Sequence, residues 1–375
     1  MPLPKLKIII SGGGTGGHIF PAIAIADAIK QLEPQAEILF IGAKGRMEMD
    51  KVPAAGYPIK GLWISGLQRS LTPKNLSFPF KLIHSAIAAR RILKEFKPNV
   101  VVGVGGYASG PTLRAAEQLG IPTVLQEQNS YPGLTNKLLA SKANFICVAY
   151  SGMEKYFPKE KIIMTGNPVR KEILSSTLTK EEACNFFELD PERPVVLSVG
   201  GSLGAYTLNK VMANSLTEYD KKDIQVLWQT GKSFIETANQ KVKDARVGNV
   251  TPMSFIQRMD LAYTAADVVI SRAGAIAISE LCLRGKPSIL VPSPNVAEDH
   301  QTRNAMALVH DQAAIMVPDG SADEDLTSSA IKLALDKNLQ NILSENIKEL
   351  GYPDAAIEIA RIVINCATSK PETKK

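Results

Sequence analysis

Ile8-Ile9-Ile10-Ser11-Gly12-Gly13-Gly14-Thr15-Gly16-Gly17-His18-Ile19-Phe20-Pro21 reads as strand, loop and helix. A β-branched run stops in dense glycine. A helical pattern follows, with Ala22, Ile23, Ala26 and Ile29 on one side. Glycines let backbone N–H groups approach an anion, and a helix N-terminus favours negative charge. The loop is therefore a candidate phosphate cradle. His18 adds a titratable group at its mouth.

Gly12, Gly14 and Gly17 satisfy the dinucleotide fingerprint G-x-G-x-x-G, a weak signal alone. That fingerprint needs an acid at the end of the second strand to hold a ribose. Here Glu37-Ile38-Leu39-Phe40-Ile41-Gly42 runs into Ala43-Lys44-Gly45, and Glu48 and Asp50 come too late. A nicotinamide cofactor is disfavoured.

The same unit recurs. Val100-Val101-Val102-Gly103-Val104-Gly105-Gly106-Tyr107-Ala108-Ser109-Gly110-Pro111 is a second strand, glycine turn and helix start. Pro194-Val195-Val196-Leu197-Ser198-Val199-Gly200-Gly201-Ser202-Leu203-Gly204-Ala205 is a third. Three such loops favour phosphate binding over mere tight turns. Alternating buried strands and amphipathic helices predict parallel sheets with helices on both faces. The 375 residues fit two domains, with a junction at Gly166-Asn167-Pro168-Val169-Arg170 and a cleft expected between them. The expected division is 1–165, 166–350, a helix over 351–367 crossing back to the first domain, and a disordered tail over 368–375. Residues 46–77 read as less regular.

Lys+Arg 43 against Asp+Glu 37 gives a net charge of +6, which permits an anionic partner but does not indicate nucleic acid. The four cysteines are dispersed, so neither a disulfide framework nor zinc is expected. There is no room before the first strand for a signal peptide and no apolar run of about 20 residues, so any membrane contact is expected to be peripheral. Residues 71–80, with Phe78, Phe80, Lys74 and Lys81 at hand, form a candidate apolar patch ringed by base. Ile83, Ile87 and Leu93 read as helix core. Of the four histidines, His84 and His310 read as structural, and His300 lies in a polar loop where a substrate contact is open. Glu280 reads either as an i,i+4 partner of Arg284 or as an acceptor for ribose hydroxyls. Gln126-Glu127-Gln128-Asn129 is a polar cluster at a strand's carboxyl end, where open α/β sheets bind ligands. No D-x-D pair sits at a strand end, so no metal is required.

Gly13-Gly14-Thr15-Gly16-Gly17-His18, Gly105-Gly106-Tyr107-Ala108-Ser109-Gly110-Pro111, Glu127-Gln128-Asn129, Gly166-Asn167-Pro168-Val169-Arg170 and Gly200-Gly201-Ser202-Leu203-Gly204-Ala205 together resemble the MurG family of glycosyltransferases. So do Trp228-Gln229-Thr230-Gly231-Lys232, Ser271-Arg272-Ala273-Gly274-Ala275 with Glu280, and Glu298-Asp299-His300-Gln301 with Asn304. The matches run in order over nearly the whole chain. The resemblance implies the GT-B fold, two Rossmann-like domains facing across a cleft. It implies inverting, metal-independent transfer of N-acetylglucosamine from UDP-GlcNAc to the 4-hydroxyl of the MurNAc sugar of lipid I, giving lipid II for peptidoglycan. No cofactor is implied. The setting would be the cytoplasmic face of the cell membrane.

By the same resemblance, the first domain takes lipid I and the second UDP-GlcNAc. Ser202 would contact the diphosphate, Ile256 the uracil through its backbone, and Arg170 the base side. Ala275, Ile276, Ala277, Ile278, Ser279 and Glu280 would line the nucleotide, with Glu280 on the ribose. Gln301 and Asn129 would meet the donor sugar, and Thr15, Gly16 and Gly17 would also contact the donor. Gly13, Gly14, Gly105, Gly106, Tyr107 and Ser109 would face the lipid diphosphate. His18 would be the general base.

Two positions depart from the family pattern. Many members have histidine at Gln126, which cannot titrate, and a polar residue at Leu203. The second departure suggests that backbone amides hold the phosphate. Alternatives remain at this level: transfer to another lipid such as diacylglycerol, or a non-catalytic sugar-nucleotide sensor.

Overall fold

The computed structural model describes residues 5–65, 78–175 and 177–369. It divides into Met1–Arg170 with Asp354–Lys375, and Lys171–Pro353. In the first unit the order is β1 (Lys7–Ser11), α1 (Gly16–Leu32), β2 (Glu37–Ala43), α2 (Glu48–Ala54), β3 (Ile59–Leu62), α3 (Phe78–Phe96), β4 (Val100–Gly103), α4 (Ser109–Gln118), β5 (Thr123–Glu127), α5 (Leu134–Leu139), β6 (Phe145–Val148) and β7 (Ile162–Met164). The strands form a parallel sheet ordered β3-β2-β1-β4-β5-β6-β7.

Side chains alternate across a strand, and both faces of this sheet are covered. Ile8 and Ile10 of β1 pack with Ile19, Ala22, Ile25 and Ile29 of α1. Ile9, between them, joins Ala89, Leu93, Leu113 and Ala116 on the other face. The continuous isoleucine run follows from this double burial.

The second unit begins with α6 (Lys171–Ser175) and α7 (Lys180–Phe186). It continues β8 (Val195–Val199), α8 (Tyr206–Lys221), β9 (Gln225–Gln229), α9 (Ile235–Ala245), β10 (Val250–Met253), α10 (Met259–Ala265), β11 (Val268–Ser271) and α11 (Ala275–Arg284). It ends with β12 (Ser288–Leu290), α12 (His300–His310), β13 (Ile315–Met316), α13 (Ala322–Leu335) and α14 (Lys337–Glu349). Its parallel sheet is ordered β10-β9-β8-β11-β12-β13. The last helix, α15 (Ala355–Thr368), belongs to the first unit, where Ile359, Ala360, Val363 and Cys366 share the core of α1.

Both sheets reverse direction of winding once, between β1 and β4 and between β8 and β11. Ligands in such sheets bind outside the carboxyl ends of the strands at that switch point. The three glycine loops leave β1, β4 and β8, so all three lie at switch points.

Three expectations need correction. The region read as irregular contains α2 and β3. Both elements are too short for a periodic signal, and β3 forms by pairing with β2. Ile83 and Ile87 are exposed; α3 instead buries Ser85, Ala89, Ile92 and Leu93. Periodicity locates a stripe but not the side that a neighbour covers. His300 is not in a loop but begins α12. Of the candidate patch over 71–80, residues 71–77 lie outside the described residues. Phe80 is exposed on the outward side of α3. No described helix is long and apolar enough to cross a membrane.

Candidate active site

His18 sits in the first turn of α1. Thr15 is the N-cap but its side chain makes no capping hydrogen bond, and the first turn carries no acid. The His18 N–H turns back to Thr15 O at 3.1 Å, which leaves the Gly16 and Gly17 amides to face an anion. His18 Nδ1 lies 3.1 Å from Gly13 O and 3.2 Å from Thr15 Oγ1. A carbonyl only accepts, so hydrogen-bond chemistry assigns the proton to Nδ1. Nε2 is then the nitrogen able to take a proton.

The loop after β4 closes on this one. Gly105 and Gly106 both have positive φ, at 93° and 85°. A Cβ on Gly105 would lie 2.9 Å from His18 Nε2, and one on Gly106 would lie 2.2 Å from Gly13 O. These glycines are required because the second loop rests directly on the histidine and on the first loop. Ser109 is buried, and its hydroxyl contacts Ser11 O at 2.6 Å and Gly105 O at 2.9 Å. It braces the loop from beneath. Tyr107 stands exposed on the loop.

At the end of β5, Glu127 is buried and accepts from Asn129 N and Nδ2, Gly133 N and Asn136 Nδ2 at 2.8–3.3 Å. Burial pushes its carboxyl above the usual range, opposed by those donors. Glu127 thereby shapes the segment that carries Asn129. Gln126 is buried too, and its Nε2 donates to Asn167 Oδ1 at 3.0 Å. Arg170 places its guanidinium 5.7 Å from the Phe20 ring centroid.

In the second unit, a cavity of about 520 Å³ opens at the switch point. Gly200, Gly201 and Gly204 form one wall, with the N-termini of α8 and α11 beside them. Neither helix has a side-chain cap or an acid in its first turn. By contrast α7 has a full capping box and α13 has Asp323, Glu324 and Asp325 in its first turn. Two uncapped N-termini give the cavity positive potential of about half a charge each. Arg272 lines it as well, held by Asp319 and by the carbonyls of Val291 and Pro292 at 3.1 and 3.2 Å.

Of the residues expected on the donor, Ala277 and Gln301 line this cavity. Gln301 Oε1 accepts from Ser293 N at 2.9 Å. Ser202 is exposed on the glycine loop. Ile278 points into the core, whereas Ala275 starts α11 and Ile276 and Ser279 are partly exposed. Glu280 is buried, and Tyr263 Oη donates to its Oε2 at 3.0 Å. Ile256 is buried, and its N–H donates to Gln229 Oε1 at 2.8 Å.

Several residues act as supports, a role that the sequence motif around Trp228 and Gln229 does not reveal. Gln229 also donates from Nε2 to Gly201 O at 2.9 Å, tying the glycine loop to Ile256. Trp228 Nε1 donates to Asn209 Oδ1 at 3.0 Å, and Asn209 Nδ2 to Thr230 O at 2.8 Å. Tyr263, Asp319 and Glu48 had no motif to flag them, because the contacts Tyr263–Glu280, Asp319–Arg272 and Glu48–Gly14 join separate elements of the chain.

Residues 8–148 match the glycosyltransferase family 28 N-terminal domain, and residues 195–359 match the glycosyltransferase family 28 C-terminal domain. A relative from Parabacteroides distasonis is named UDP-N-acetylglucosamine--N-acetylmuramyl-(pentapeptide) pyrophosphoryl-undecaprenol N-acetylglucosamine transferase. It is 54% identical over 98% of this chain and 100% of its own. A relative of the same name from Flavobacterium psychrophilum is 50% identical over 98% of this chain and all of its own. Among solved structures, MurG of Acinetobacter baumannii is 28% identical with a TM-score of 0.77, covering 96% of this chain and 100% of that one. MnaA of S. aureus with UDP shares the fold at 13% identity, with a TM-score of 0.67 and coverage of 99% and 100%. Two parallel-sheet units, glycine loops at both switch points and half-identical relatives over nearly the full length agree: the chain is a GT-B glycosyltransferase of family 28 and belongs to the MurG family within it.

Proposed function

We propose that this chain transfers N-acetylglucosamine from UDP-GlcNAc to the 4-hydroxyl of the MurNAc sugar of lipid I, giving lipid II. The observation that carries the reading is that relatives more than half identical over nearly the whole chain bear the name of that reaction. The chemistry is a single displacement. His18 Nε2 takes the proton of the acceptor hydroxyl, the oxygen attacks the anomeric carbon from the face opposite UDP, and the configuration inverts. UDP departs with added negative charge, which the uncapped N-termini of α8 and α11 offset. Those groups supply what a metal would otherwise supply.

The first unit takes the acceptor and the second the donor. Ser202 and its loop hold the diphosphate, the Ile256 backbone meets the base, Glu280 accepts ribose hydroxyls and Gln301 meets the sugar. Thr15, Gly16, Gly17, Asn129 and Arg170 are assigned to the donor on family resemblance alone. Exposed Phe80, Ile83 and Ile87 on α3, beside half-buried Lys81, suit a peripheral membrane surface.

The test is transfer of labelled N-acetylglucosamine to a short-chain lipid I, with and without chelator. Product that survives the chelator supports the metal-free reading. His18→Ala should lose turnover by roughly 10²–10⁴-fold while still binding UDP-GlcNAc. Native turnover in that variant would overturn the base assignment. No product from the unmodified chain with UDP still bound would point to another acceptor or a sensor.

A further inference from the structure

Glu48 comes too late in the chain to hold a dinucleotide ribose, yet it returns to the first glycine loop. It opens α2 and is 1% exposed. Oε1 accepts Ala43 N–H at 2.9 Å, and Oε2 accepts Gly14 N–H at 3.0 Å. Among the described residues neither oxygen meets a Lys or Arg in an ion pair. A buried carboxylate held only by backbone amides is costly. The chain also makes room for it. A Cβ on Gly13, whose φ is +145°, would lie 2.2 Å from Oε1, and one on Gly42 would lie 2.5 Å from its Cγ.

The Gly13–Gly14 peptide links this carboxylate to the histidine. A trans peptide points its N–H and its C=O in opposite directions. Its N–H faces Glu48 Oε2, and its carbonyl faces His18 Nδ1 at 3.1 Å. Negative charge at the N–H end polarises the amide and makes the carbonyl a stronger acceptor. We propose that Glu48 is a positioning residue for His18: acting through the Gly13–Gly14 peptide, it holds the proton on Nδ1 and keeps Nε2 ready as base. The arrangement does through one peptide what a carboxylate does by direct contact in a carboxylate–histidine pair. It rests on the reading of His18 as the base.

The test uses the full chain labelled with ¹⁵N-histidine. Four histidine signals are expected, and His18→Gln identifies the one of interest. The native protein should show His18 as the Nδ1–H tautomer. Glu48→Gln keeps the shape but turns an N–H group toward one of the two backbone donors. It should give mixed tautomers and a kcat lower by on the order of 10²-fold, with KM for UDP-GlcNAc within about twofold of native. Glu48→Asp, which keeps the charge, should recover part of kcat and the tautomer.

A native tautomer in Glu48→Gln, whatever the turnover, overturns the proposal and leaves Glu48 a structural support. Mixed tautomers with native kcat overturn it as well. If His18→Ala retains turnover, the base reading fails by itself, while the tautomer signal still decides whether Glu48 orients the ring.

Discussion

Replacing Gly106 with alanine tests the interlock of the two loops in the first unit. The new methyl carbon would sit 2.2 Å from Gly13 O, about 1 Å inside contact distance. The neighbour is backbone, so relief requires one loop to move. Gly106 also has φ of +85°, a region that costs an L-residue about 1–2 kcal/mol. Gly120→Ala is the matched control. Its φ is +70° and a Cβ there would meet nothing within 4 Å, so it carries only the conformational cost. At about 2–4 °C per kcal/mol for a unit of this size, Gly120→Ala should lower Tm by roughly 2–8 °C. Gly106→Ala should lose a further ~1–3 kcal/mol from overpacking. Activity should separate the pair more sharply. Gly13 O sets the His18 ring, and a displacement near 1 Å can cost about 10²-fold in rate. The assay is labelled transfer to short-chain lipid I beside calorimetric UDP binding. Gly120→Ala should turn over normally, and Gly106→Ala should lose about 10²-fold with UDP affinity unchanged. Native turnover in Gly106→Ala would refute the claim that loop contact sets the histidine.

Gln229→Ala leaves Gly201 O and Ile256 N without their shared partner, a loss of about 1–3 kcal/mol. KM for UDP-GlcNAc should rise roughly tenfold with kcat changed much less, as steady-state kinetics at saturating acceptor will report. Lys286 gives a pH prediction: burial pulls its ammonium down to about 8 from the ordinary lysine value of 10.5. Between those values the unfolded chain binds more protons than the native one, so this residue makes stability rise with pH across the window. Thermal melts of native protein against Lys286→Met should show the variant gaining least, relative to native, near pH 10. A difference that is flat with pH would sink the assignment.

Local chemistry made much of this protein legible in one dimension. Each glycine loop follows a buried apolar strand and precedes a helix, and that order is enough to predict parallel sheets and anion-binding turns. His18 stood out because a titratable ring at a glycine-loop helix start has no packing reason to be there. The absent acid after β2 told against a nicotinamide cofactor for the same local reason. The irregular stretch failed because β3 is four residues long and owes its conformation to β2.

Tertiary structure alone decided which residues serve the loops. Glu48 is 34 residues from Gly14, whose N–H it accepts, and Tyr263 is 17 residues from Glu280. Ile83 and Ile87 look like core by composition, yet the sheet covers the opposite side of their helix. Gly105 and Gly106 read as an anion cradle, but their closest constraint is the other loop. Backbone preference and hydrophobic period are properties of neighbours in sequence, so the chain alone determined its strands, turns and helix starts. Partner choice for a buried carboxylate, amide or ring depends on which elements a long-range crossover sets side by side, and that only the folded sheet decides.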